Sequence, residues 1–236
     1  MCGLKYSLVL AFSLLAVPVA SAENIQLAQL APNEGELKAY QGLHAAAAKG
    51  DVGAIKRLIS AGAKLEARDR HGRTPLMVAG FQRHRAAAAA LIDGGAKLDS
   101  LDHDRYDLVT ISAVLNDLDI LRLAIARGAP TNLVTSPYDG TALIAAAHLG
   151  HVEVVQALID GKAPLDHVNN LNWTALIEAI VLGDGGARHT AIVRALIQAG
   201  ANLNLADGNG TTPLSLARQK GHKAIANILF RAGAKP

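Results

Sequence analysis

Nine histidines are the residues here best able to do chemistry, because an imidazole can ligate a metal or move a proton near neutral pH. Their spacing supports neither role. His84, His151, His189 and His222 share one register, at the start of an apolar helical run, where periodicity alone accounts for them. His44, His71, His103, His148 and His167 carry no His-Glu-x-x-His pattern and no paired-ligand spacing. No Gly-x-Ser-x-Gly is present, and the acidic side chains follow turn and cap positions. The glycine-rich stretch Gly183–His189 lacks the preceding strand and the Gly-Lys-Ser of a phosphate-binding loop. The rival reading is a metal-binding or hydrolytic enzyme built from His71, His103, His148 and that loop. The residues favour a non-enzymatic chain with no cofactor and no metal.

What must position any site is a two-helix unit, seen most plainly in GTALIAAAHLGHVEVVQALIDGKAPLD, residues 140–166. Leu143 to Ala147 are small and apolar, so this helix can lie close between two neighbours. From Val152 to Ile159 the apolar residues recur at helical spacing, with Glu153, Gln156 and Asp160 on the wet side. Such a unit cannot bury its own apolar faces and needs copies stacked on either side.

The copies are present. Thr74-Pro75-Leu76, Thr141-Ala142-Leu143, Thr174-Ala175-Leu176 and Thr212-Pro213-Leu214 each open a pair, with Gly42-Leu43-His44 and Asp107-Leu108-Val109 in the same slot. Matching phrases close the units, from Ala61-Gly62-Ala63 to Ala232-Gly233-Ala234. The openings recur at 33, 33, 34, 33 and 38 residues. On these motifs the chain resembles the ankyrin-repeat family, whose unit is a β-turn and two helices at this period. The resemblance implies an all-α solenoid of about six helix-turn-helix repeats with β-hairpin fingers. The expected repeats are 36–68, 69–101, 102–135, 136–168, 169–206 and 207–236, preceded by a lead-in or cap at 23–35.

Two departures stand out. Repeat three has Asp107 for the opening threonine and Arg105 for the usual turn glycine. Repeat five carries five extra residues within Gly183–His189, a loop expected to be mobile unless something holds it.

Residues 1–22 differ from the rest: Lys5 is basic, Leu8 to Val17 is apolar and Ala20-Ser21-Ala22 is a small-residue cleavage site. This reads as a secretory signal peptide, too short in its apolar part for a membrane span. The expected address is the periplasm of a Gram-negative bacterium, or otherwise the exterior. Cys2, the single cysteine, would leave with the signal, excluding disulfides and thiolate chemistry from the mature chain. Without Lys5 there remain 22 basic and 20 acidic side chains. So small an excess implies no nucleic-acid partner.

The register also locates a surface. In ankyrin-like proteins partners usually touch the fingertips and the exposed side of the first helix. The residue just before each opening is Tyr40, Arg73, Tyr106, Gly140, Trp173 and Thr211. Tyr138 lies two places earlier in its finger, and Phe81 ends a first helix facing the groove. Five of the six aromatics beyond residue 22 thus fall on the expected concave face, and aromatic rings are common interface anchors. The alternative is that the rings pack between fingers. Arg70, Arg73, His71 and His103 would add polar contacts, with His148 deeper in the groove. The reading is a monomeric, exported module that binds a protein. The family resemblance also allows a part in periplasmic catalase or peroxide defence, or in immunity to a toxin.

Overall fold

The computed structural model describes residues 31–236, so the expected signal peptide and most of the expected lead-in lie outside the described residues. A short helix, α1 (Glu34–Ala39), precedes six helix pairs: α2 (Gly42–Lys49) with α3 (Val52–Ser60), α4 (Pro75–Phe81) with α5 (Arg85–Asp93), and α6 (Leu108–Val114) with α7 (Leu118–Ala126). Then come α8 (Ala142–Leu149) with α9 (Val152–Asp160), α10 (Ala175–Val181) with α11 (Ala187–Gln198), and α12 (Pro213–Gln219) with α13 (Lys223–Arg231). First helices stack on first helices and second on second, α2 through α12 in one row and α3 through α13 in the other.

The first row is short and enclosed. Thr74, Asp107, Thr141, Thr174 and Thr212 each cap a first helix by accepting the amide three residues on, so Asp107 does the work of threonine in repeat three. Along α8, Leu143, Ala146 and Ala147 are fully covered because both neighbours press on them. The second row is amphipathic: Val154, Val155 and Leu158 of α9 point inward while Glu153 and Gln156 face water. One continuous apolar core runs along the array. Leu158→Ala would cost about 2–5 kcal/mol at such a site.

The fingers between repeats are hydrogen-bonded turns. Among the described residues the one β-bridge joins Thr135 and Gly140, so the expected hairpins are too short to count as strands. Each turn is tied by a side chain at its start. The carboxylate of Asp69 accepts the amides of His71 and Arg73 at 2.9 Å. Asp102, Asn169 and Asp207 repeat the pattern. Arg105 keeps the left-handed turn at φ 64° that glycine adopts at Gly72. Its guanidinium holds on to the Asp139 carboxylate at 2.7 Å and the Val134 carbonyl at 3.2 Å, which offsets the strain.

The insertion of repeat five is held. His189 Nδ1 bonds the Asp184 carboxylate at 2.9 Å, and that oxygen also accepts the Gly186 amide. Glycine is required here by close packing: a Cβ on Gly183 would lie 2.6 Å from the His189 ring, and one on Gly185 2.1 Å from His222 Nδ1. Three residues expected in the turn, Ala187 to His189, instead begin α11.

Candidate functional site

Two buried acid clusters stand out, one where α1 meets the finger of repeat two and one between the finger and first helix of repeat five. In the first, Asp69 receives three partners. Tyr40 donates its hydroxyl at 2.6 Å, Arg73 Nε donates at 2.7 Å to the same oxygen, and the turn amides bind the other. Arg73 also reaches Glu36 at 3.0 Å, where Arg70 and His71 converge at 2.8 Å. Burial works to raise the Asp69 carboxyl, but the Tyr40 hydroxyl, the turn amides and Arg73 outweigh it and hold it at about 2. Glu36 is lowered in the same way: the Asn33 amide and Arg73 prevail over burial. Loss of solvent and the bond to Asp69 push the Tyr40 hydroxyl up.

The second cluster joins repeats four and five. Glu178, on α10, is 4 % exposed. Asn169 Nδ2 donates to its Oε1 at 2.8 Å, while Asn169 Oδ1 accepts the amides of Leu171 and Trp173. Oε2 is buried and makes no hydrogen bond. His148 Nδ1 stands 3.7 Å from it, within reach of an ion pair when the ring is protonated but beyond hydrogen-bond range. Burial pushes the Glu178 carboxyl up to about 7, with Asn169 only partly offsetting it. Burial also lowers the His148 imidazole, and the charge of His189 adds to this.

The chain matches the family model described as ankyrin repeats (3 copies) over residues 16–102 and 110–207. The chain belongs to the ankyrin-repeat family. It is similar to the ankyrin repeat protein YahD of Escherichia coli (strain K12), with 37 % identity over 190 residues, 80 % of this chain and 94 % of YahD. It also resembles the crystal structure of an ankyrin repeat domain from Acinetobacter baumannii AYE, at TM-score 0.78 and 44 % identity, covering 82 % of this chain and 98 % of that one. The ankyrin repeat protein EF0377 superposes at TM-score 0.76 with 30 % identity, over 81 % and 98 % of the two chains.

In this ankyrin array the ten residues expected at the groove separate clearly. Tyr138 is 49 % exposed at its fingertip, and Arg70 and His103 are exposed beside their turns. His71, Tyr106, His148 and Trp173 are half-buried. Tyr106 packs against Met77, Phe81 and Ile111, and Trp173 against the main core. Tyr40 is half-buried too, its ring 5.2 Å from that of His44 and its hydroxyl on Asp69. Two of the ten are corrected. Arg73 is 1 % exposed, drawn inward by Asp69 and Glu36, and Phe81 is 7 % exposed under the next repeat. Neither offers a surface to a partner.

Three of the four repeat-register histidines have structural partners, while His222 Nε2 is buried without one among the described residues. His84 donates to the Ala48 carbonyl at 3.2 Å, His151 to Ala113 at 2.9 Å and His189 to His148 at 3.0 Å, each tying a second helix to the preceding repeat. His44 binds the Arg73 carbonyl at 2.9 Å. Among the described residues no three His, Cys, Asp or Glu side chains are placed to hold a metal ion, so His71, His103 and His148 do not form a common ligand set. Sequence reasoning missed Glu178, Asn169 and Val168, the last 44 % exposed beside Tyr138's finger. A signal for Glu178 existed: the slot four residues past each opening holds Ala45, Val78, Ile111, Ala145 and Leu216 in the other repeats.

Proposed function

We propose that this chain is exported and holds a protein partner on the fingers and first helices of repeats four and five. Ankyrin arrays are protein-binding modules. The observation that carries the location is the exposure of Tyr138 and Val168 on adjacent fingers, which the Asn170 amide links by a 3.0 Å bond to the Tyr138 carbonyl. Neither apolar side chain is spent on packing within the array, and Trp173 closes the finger that carries Val168. An exposed aromatic beside an apolar neighbour is the composition of an interface anchor.

The signal-like residues 1–22 support export, with a mature chain beginning at Glu23, acting as a monomer in the periplasm or outside the cell. Peroxide defence alongside a catalase, or neutralisation of a toxin, are the narrower roles the family resemblance allows, and the captured partner would choose between them. Immobilised chain exposed to extract from its own cell envelope should retain one protein specifically. Tyr138→Ala should then weaken that protein's binding by about 2 kcal/mol, the scale of an interface hot spot. The urea midpoint of the variant should stay within about 0.5 kcal/mol of the parent, as at other exposed sites. A partner that binds Tyr138→Ala as it binds the parent would place the interface elsewhere.

A further inference from the structure

We propose that Glu178 is the acceptor for a basic side chain of the protein partner, with the His148 ring as its displaceable cover. This rests on the reading of repeats four and five as the partner-binding face and names what that face recognises.

Packing does not call for an acid at this position. Five of six repeats place an aliphatic residue there, and α10 would stack as well with one. An enclosed carboxylate without a cation is costly in a folded chain. Yet the surroundings are arranged around it. The finger residue is Asn169 where three other fingers have Asp69, Asp102 and Asp207. A carboxylate at 169 would stand against Glu178 at the 2.8 Å now bridged by the amide. Asparagine instead keeps both turn amides on Oδ1 and pins Oε1 with Nδ2, which leaves Oε2 as the uncommitted acceptor.

The cover can move. The side chain of His148 is 40 % exposed, and its ring has no hydrogen bond among the described residues. Its backbone carbonyl is separately anchored by His189 Nε2, so the ring can swing without disturbing α8. The neighbouring repeat offers only a small side chain at this level, Ala145 being its counterpart of Glu178. A long aliphatic stem from a partner seated on these repeats would displace the His148 ring and bring its cation to Oε2.

The proposal is tested on the full chain by NMR, with Nα-acetyl-lysine methylamide as the probe and the neutral Nα,Nε-diacetyl-lysine methylamide as its control. The His148 ring and Trp173 indole signals should shift saturably with the lysine probe. The apparent affinity should fall about tenfold or more with the neutral control, as it should for the lysine probe in Glu178→Gln, the scale of losing one charge-assisted hydrogen bond. Glutamine is isosteric and can still accept from Asn169, so the variant folds, which its urea midpoint verifies. No saturable shift, or one that persists unchanged in Glu178→Gln, overturns the proposal. Such a failure leaves the Tyr138 capture experiment standing, since that variant reads the face and not the acid.

Discussion

Asp69 and Glu178 are both enclosed carboxyl groups in the same array, and they behave in opposite ways. Asp69 sits with the guanidinium of Arg73, a tyrosine hydroxyl and two amides, and is held at about 2. Glu178 sits with one amide and an imidazole too distant to bond, and is pushed up to about 7. Burial acts in the same direction on both. The difference lies in the partners: the first cluster is complete within the chain and the second is one cation short. Fingers that pack in a periodic array can therefore be either structural joints or sites, and the satisfaction of their buried polar atoms tells the two apart.

The strongest way to break this contrast is to remove the cation from the first cluster. Arg73→Ala leaves Asp69 enclosed without its cation, while Glu36 keeps Arg70, and should destabilise the protein by about 3–5 kcal/mol, the cost of breaking a buried ion pair. Urea unfolding at neutral pH would measure it; a loss below about 1 kcal/mol would mean that the cluster is wet and weak.

The two acids should then show opposite pH signs. Glu178 has a folded value above its ordinary 4.5, so its contribution is intact below pH 4.5 and is lost as pH rises through about 7. Glu178→Gln should consequently stabilise the protein by about 3 kcal/mol at pH 8, and the gain should vanish near pH 4. Asp69 has a folded value below its ordinary 3.8, so its contribution is present above 3.8 and is lost as pH falls through about 2. Asp69→Asn should cost about 2 kcal/mol at pH 7, with the cost shrinking in acid. Unfolding curves for both variants at several pH values would check the crossing, and parallel pH trends would abolish the distinction.

The array itself was legible from sequence because stacking imposes a period: each opening cap, apolar run and glycine closure recurs where a packed neighbour requires it. Arg105 is instructive, since a side chain unsuited to its turn keeps the left-handed geometry by bonding Asp139 and Val134 in the next finger. Groove residues were read less well. Register places Arg73 at a fingertip, but whether a fingertip side chain faces water depends on Asp69 and Glu36, one within its own turn and one in the preceding repeat. Phe81 is buried for a similar reason, covered by Ile111 of the following repeat. Glu178 escaped notice because Glu in ALIEAIV reads as the wet side of a short helix; only alignment of equivalent slots shows that its side chain must point into the stack. Tyr138 and His148 were identifiable by register, and both retain exposed surface.

The central claim is that one buried acid of this array is satisfied by the chain and the other is left for a partner. Carboxyl-carbon NMR titration of the intact, partner-free protein tests it directly. The account predicts a midpoint at about 2 for Asp69 and about 7 for Glu178. Two midpoints in the ordinary carboxylate range, near 4, would contradict it.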